Sequence, residues 1–162
     1  MKRIAIFPGS FDPFTNGHLD VVQRGTAMFD EIVIAIGNNS NKKRAWEVDQ
    51  MVTIISTIFK DQPNITVQSY KGLTADFANK VGAKFLLRGL RNTTDFEYEN
   101  TIAQANRHVN KELETVFLIT SPHLAAISSS IIREIYSYGG NVDDFIPFRL
   151  SDFSGNNLSQ IQ

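Results

Sequence analysis

Residues 4–20 read IAIFPGSFDPFTNGHLD, and the fold follows from how this stretch divides. Ile4 to Phe7 is a short unbroken apolar run, the pattern of a strand covered on both faces. Pro8, Gly9, Pro13, Asn16 and Gly17 then break the chain into turns. Leu19, Val22 and Phe29 fall on one helical face, which places His18 in the first turn of a helix. Unpaired backbone N–H groups and the positive end of the helix dipole collect in such a turn, so it suits a phosphate. Gly9 and Gly17 present no Cβ to a polyanion approaching the backbone. The same residues read equally well as an ordinary turn and helix start with a surface histidine.

Working outward, Ile32 to Ile36 is a second buried-strand run ending at Gly37. Strand, helix and strand make a βαβ unit with a right-handed crossover and a parallel sheet. Residues 38–44, NNSNKKR, form a polar loop at the carboxyl end of that strand, the edge where open α/β sheets carry ligands. Lys42, Lys43 and Arg44 either grip a phosphate there or form a solvated loop tip. Val48, Met51, Val52, Ile55 and Phe59 recur at helical steps, Ile65 to Val67 is a short strand, and Gly72-Leu73-Thr74 opens a helix that Thr74 would cap.

Lys84 to Arg91, KFLLRGLR, is a buried strand with Arg88 at its carboxyl end and Arg91 three residues on. Two forked cations around a glycine turn can reach one polyphosphate from different sides. Thr94 to Glu97 has capping-box spacing, so a helix is expected from about Asp95, with Tyr98, Ile102, Ala105 and Val109 along its core face and Glu99 beside them. Val116 to Ile119 is the last strand. Ser128-Ser129-Ser130 opens the last helix, as a phosphate cradle or as a plain N-cap.

Composition narrows the function. The 162 residues are 42% hydrophobic and 20% charged with net charge −1, as for one globular domain with no general affinity for nucleic acid or anionic membrane. The absence of cysteine excludes a disulfide framework, a thiol nucleophile and a cysteine zinc site. His18, His108 and His123 lack metal-ligand spacing, so no protein-held metal is expected. No signal-like apolar region follows Lys2 and Arg3, and no stretch is long enough to span a bilayer, so a cytoplasmic location is expected. Neither a P-loop nor a nucleophile elbow is present.

Gly9-Ser10-Phe11-Asp12-Pro13 with Thr15-Asn16-Gly17-His18 resembles the nucleotidyltransferase superfamily signature, His-x-Gly-His or Thr/Ser-x-Gly-His. Arg88-Gly89-Leu90-Arg91 with Asp95 to Glu99, and Ile127 to Ser130, are similar to the Arg-Gly-Leu-Arg, Asp-Phe-Glu-Tyr-Glu and Ile-Ser-Ser-Ser segments of the phosphopantetheine adenylyltransferase family. The resemblance covers about residues 3–148. It implies a single Rossmann-like α/β domain, a parallel sheet with helices on both faces, over residues 1–148, and leaves residues 149–162 as a polar tail expected to be loosely ordered.

The resemblance further implies transfer of AMP from ATP to 4′-phosphopantetheine, with Mg²⁺. It places ATP at Ser10, Phe11, His18, Gly89, Leu90, Arg91, Glu99, Leu124, Ile127, Ser128, Ser129 and Ser130. It places the acceptor at Ser10, Lys42, Leu73, Thr74 and Arg88, and gives His18, Lys42 and Arg91 the catalytic roles. A homohexamer and feedback by coenzyme A are implied with it. Two departures stand out: Glu47 to Met51 lacks the family's usual Ser/Thr with two acids before an Arg, and Leu124 replaces an aromatic residue beside the adenine. The rivals are a superfamily enzyme acting on nicotinamide mononucleotide or glycerol 3-phosphate, and a nucleotide-binding module without turnover.

Overall fold

The computed structural model describes residues 2–39 and 43–152. Strand β1 (Ile4–Gly9) leads into α1 (Asn16–Gly25) and β2 (Glu31–Gly37), followed by α2 (Val48–Ile58) and β3 (Ile65–Tyr70). The second half runs α3 (Thr74–Lys80), β4 (Phe85–Leu90), α4 (Thr93–Val109), β5 (Glu114–Ile119) and α5 (Ser129–Ser137). All five strands are parallel, in the order β3-β2-β1-β4-β5. The sheet is Rossmann-like, and its order reverses direction between β1 and β4, so a crevice opens at their carboxyl ends.

The apolar strand runs are buried on both faces. Phe7, Ile34, Ile36 and Leu87 pack with Val22 of α1 and Met51, Ile54 and Ile55 of α2. Ile6, Val33, Ala35 and Leu86 pack on the other face with Ala75, Phe77 and Ala78 of α3. Among the described residues no helix is long and apolar enough to cross a membrane.

One seam in the sheet is incomplete. β1 pairs with β2 from Ile4–Glu31 through Gly9–Ile36, but with β4 only through Ala5–Phe85 and Ile6–Leu86. Pro8 has no N–H to give the ladder, so the two central strands part there. The Pro8 carbonyl instead accepts from the Arg88 guanidinium. A proline in a central strand thus creates the opening that the site occupies.

α4 departs from the sequence expectation in two ways. Its N-cap is Asn92, whose side chain accepts from the Asp95 N–H at 2.9 Å, so the helix begins at Thr93 and not at a Thr94 capping box. The stripe Tyr98, Ile102, Ala105 and Val109 is not a core face: Tyr98 is 66% exposed and Val109 52%, and Ala105 and Ile102 are exposed with them. The buried residue of α4 is Glu99, 8% exposed. The helix is turned by the partner Glu99 finds on β4, so helical spacing alone pointed the apolar residues the wrong way.

The departure at Glu47 has a local effect. Glu47 is the N-cap of α2 and makes no side-chain cap bond, leaving that helix start without the oxygen that Ser or Thr would supply. The tail expectation falls mostly on residues 153–162, outside the described residues; Leu150–Asp152 forms a short 3-10 turn.

Candidate active site

Two cavities lie side by side at the carboxyl edge of the sheet, of about 450 Å³ and about 680 Å³. Pro8, Gly9, Ser10, Arg88, Tyr98 and Glu99 border both. The smaller one also holds Phe11, His18, Gly89, Arg91 and Ile127 to Ser130. The larger one holds Thr74 together with Asn38, Arg44, Tyr70 and Lys71. Eight of the expected ATP residues, Phe11, His18, Gly89, Arg91 and Ile127 to Ser130, thus lie on one side of a shared wall that includes Ser10 and Glu99, and Thr74 lies on the other.

Three expected residues lie outside the linings. Leu73 is 58% exposed beside the larger cavity, as N-cap of α3. Leu90 ends β4, and Leu124 lies in a 3-10 turn over Pro122–Leu124. Lys42 falls outside the described residues. Thr74 is the first residue of α3, not its cap, and its hydroxyl is 2.8 Å from the Tyr70 hydroxyl.

His18 is fixed from both sides of its own backbone. Its N–H donates to the Thr15 hydroxyl at 3.3 Å, and the Thr15 N–H donates to its Nδ1 at 3.0 Å, a reciprocal cap in which the imidazole plays the part usually taken by Glu or Gln. An amide N–H can only donate, so Nδ1 offers its lone pair and the ring proton of the neutral form sits on Nε2. The rings of Phe7, Phe11 and Phe14 lie 6.0, 5.0 and 5.4 Å from the imidazole. Burial among them, and then the charges of Arg88 and Arg91, push the His18 pKa down to about 3. At neutral pH His18 is an uncharged hydrogen-bond donor lining the smaller cavity.

Both arginines meet a carboxylate on α4. Arg88 forks onto Glu99, with Nε to Oε2 at 2.8 Å and Nη2 to Oε1. Arg91 forks onto Asp95, with Nε to Oδ2 at 2.9 Å and Nη2 to Oδ1 at 3.0 Å. Burial acts to raise the Asp95 carboxyl, but the bonds from the Arg91 side chain and backbone outweigh it and hold the group below its ordinary value. Asp95 and Glu99 are one helical turn apart, so a single helix sets both guanidinium groups.

The start of α5 supplies the third element. The Ser128 hydroxyl accepts from the Ile131 N–H at 3.2 Å, so it is an N-cap. The Ser129 hydroxyl donates to the Pro13 carbonyl at 2.8 Å. The opening turns of α1 and α5 both lack acidic residues, so their positive ends stay uncompensated where they face the cavity.

Sequence reasoning missed the residues that tie these segments together. The buried Asp12 carboxylate accepts from the Trp46 N–H at 2.8 Å and the Ala45 N–H at 3.1 Å. Arg44 donates to the carbonyls of Ser10 at 2.7 Å and Trp46 at 2.9 Å, so it is neither a free phosphate grip nor a loop tip. Arg133 donates to the Asp12 carbonyl at 2.6 Å and the Ser130 hydroxyl at 3.2 Å, and lines the smaller cavity with Asp95 and the buried Thr120. Phe11, between these anchors, has φ +45°, a left-handed backbone that costs about 1–3 kcal/mol and persists because its neighbours are pinned.

A sheet with this order, a Thr-x-Gly-His turn and paired cationic and serine clusters at its switch point defines a nucleotidyltransferase. A family model described as Cytidylyltransferase-like matches residues 6–135. A phosphopantetheine adenylyltransferase of Cytophaga hutchinsonii is 58% identical over 93% of this chain and 100% of its own length. Those of Lachnoclostridium phytofermentans and Flavobacterium johnsoniae are each 50% identical over 90% of this chain, covering 89% and 95% of their own lengths. A bifunctional NMN adenylyltransferase/ADP ribose pyrophosphatase from Francisella tularensis, crystallised with AMP and a manganese ion, superposes with TM-score 0.67 at 15% identity over 90% of this chain. The chain spans 44% of that protein, and the likeness concerns the fold alone. The chain belongs to the phosphopantetheine adenylyltransferase family and is a nucleotidyltransferase enzyme.

Proposed function

We propose that this enzyme transfers the adenylyl group of ATP to 4′-phosphopantetheine, giving dephospho-coenzyme A and pyrophosphate. The observation that carries the reading is the shared wall: two cavities meet at Ser10 and Arg88, with a neutral donor, His18, on the nucleotide side only. An acceptor phosphate in the larger cavity then faces the α-phosphate of a nucleotide in the smaller one.

The acceptor phosphate oxygen attacks the α-phosphorus in line. A new P–O bond forms as the bond to the bridging α,β-oxygen breaks, and pyrophosphate leaves with that electron pair. The nucleophile is already anionic at neutral pH, so no general base is required and catalysis rests on orientation and charge stabilisation. His18 donates from Nε2 to a non-bridging α-phosphate oxygen. Arg91 and the α5 opening turn hold the β,γ-phosphates, while Ser10, Lys42 and Arg88 position the acceptor.

Among the described residues no group of three or more His, Cys, Asp or Glu side chains is placed to hold a metal. Asp95 and Glu99 are turned to arginines and Asp12 to backbone amides, so these carboxylates do not fit a resident ion. Mg²⁺ is proposed only as the counter-ion that ATP carries on its own phosphates. A homohexamer in the cytoplasm, with coenzyme A as a feedback ligand, belongs to the same proposal. The exposed apolar face of α4 supports the assembly.

The deciding experiment measures pyrophosphate release from ATP and Mg²⁺ with 4′-phosphopantetheine, nicotinamide mononucleotide or glycerol 3-phosphate as acceptor. Release that depends on phosphopantetheine alone is the expected result. Release with another acceptor would keep the enzyme class and overturn the substrate.

A further inference from the structure

Asp95 is bound to Arg91 more tightly than a surface ion pair requires. Its carboxylate takes three N–H groups of that one residue: the backbone N–H at 2.9 Å, Nε at 2.9 Å and Nη2 at 3.0 Å. Another guanidinium N–H, on Nη1, points to the Ile127 carbonyl at 3.4 Å. Asp95 is the acid of the first turn of α4, where a carboxylate suits the helix dipole, but its two side-chain bonds go to Arg91, which precedes the N-cap Asn92 and lies outside the helix. What the carboxylate fixes is the turn between β4 and α4, and with it the direction of the guanidinium along the wall of the nucleotide-side cavity. The same contact sets a full negative charge against the cation that must hold a polyphosphate.

We propose that Asp95 is a positioning residue with two linked effects: it aims Arg91 at the β,γ-phosphates, and it offsets the charge of Arg91 so that pyrophosphate is not held too firmly to leave. The inference rests on the reading of Arg91 as a phosphate-binding residue. A carboxylate that only braced the fold would, on loss of its charge, leave anion binding weaker or unchanged. A carboxylate that also tempers the arginine would leave it stronger, and turnover slower, because alignment is lost and release is delayed.

The test uses the full chain with inorganic pyrophosphate as the probe, titrated by calorimetry into the parent protein, Asp95→Asn and Arg91→Ala, with kcat and the KM for ATP measured alongside. Asparagine keeps the volume and one acceptor for the Arg91 N–H. Removing one unit charge from beside the guanidinium should tighten pyrophosphate binding roughly three- to tenfold, while kcat falls by a similar factor. Unchanged or weaker pyrophosphate binding in a folded Asp95→Asn protein overturns the proposal. Arg91→Ala separates the two layers: if it leaves pyrophosphate binding untouched, the phosphate role of Arg91 fails and this inference with it. If it weakens binding while Asp95→Asn does not tighten it, only the role of Asp95 fails. Should Asp95→Asn not fold, Asp95→Glu retains the charge and is expected to bind pyrophosphate within about twofold of the parent with reduced kcat. Tighter binding by the glutamate variant would refute the charge argument.

Discussion

Three phenylalanine rings crowd the His18 imidazole and two guanidinium charges stand near it, so protonating this ring is costly while its neutral form is held by the Thr15 N–H. A two-bond proton–nitrogen NMR spectrum should therefore show the Nε2–H tautomer, with no His18 titration between pH 8 and about 5. His18→Ala should lower turnover roughly 10²- to 10³-fold, as for loss of one preorganised donor. Near-normal turnover would remove His18 from the mechanism. The same shift governs stability. Below the ordinary value of 6.5 the unfolded chain takes up a proton that the folded chain refuses until about pH 3, so His18 makes stability fall as pH drops through that window. Asp20 and Asp95 are both depressed below 3.8 and act only at more acidic pH. Urea midpoints at pH 7 and pH 5 should converge in His18→Gln relative to the parent.

At the scale of elements, the site depends on loops being tied to one another. Asp12 links the β1–α1 loop to Ala45 and Trp46, and its loss leaves two inward-facing amides without an acceptor. Asp12→Ala should cost about 1–3 kcal/mol of stability and raise hydrogen exchange at Ala45 and Trp46; unaltered exchange there would mean that the tie is not needed. Close approach is as exacting at Gly89, where an added Cβ would lie 2.9 Å from Val21 Cγ2. Gly89→Ala should raise the KM for ATP with little change in the acceptor KM, measured by varying each substrate in turn.

These ties also explain what could be read in the chain and what could not. Ile4 to Phe7, Ile32 to Ile36 and the turn at His18 were legible because a buried strand and a helix start are short-range patterns. Asp12, Arg44 and Arg133 were not, because the bonds that tie them across the site, to the Ala45 amide, the Ser10 carbonyl and the Asp12 carbonyl, span 33 to 121 residues of sequence, and each looks locally like an ordinary turn or helix residue. The α4 stripe failed for a related reason. Helical spacing shows that Tyr98, Ile102 and Val109 share a side but not which way that side faces, and the Glu99–Arg88 pair decided it. Ser128 is a cap within the candidate cradle, so the two readings of the serine cluster were never exclusive.

At the scale of the whole molecule, the carboxyl edge of the sheet draws on segments from both halves of the chain: β1 and β4 form the seam, α1 and α5 give their positive ends, and α4 holds the arginines. Asp20 extends this network, accepting from Arg24 at 3.1 Å and from the Ser121 hydroxyl at 3.0 Å, so α1 is joined to the loop after β5. Ligand binding should therefore stabilise the chain as a unit. ATP at about 100 times its Kd should add about 2.7 kcal/mol, read as a single shifted thermal transition; a second, unshifted transition would show that part of the fold is uncoupled from the site.

The wall shared by the two cavities has a consequence for the fate of what is made there. A molecule that fills both sides at once gives up its freedom of tumbling and translation a single time, whereas two separate reactants each lose theirs. On the proposed reaction the joined product is such a molecule: each half would keep the other at high effective concentration, and it should leave more slowly than either reactant. Chain-like compounds that bridge Ser10 and Arg88 should inherit that advantage, and fragments confined to one side should not.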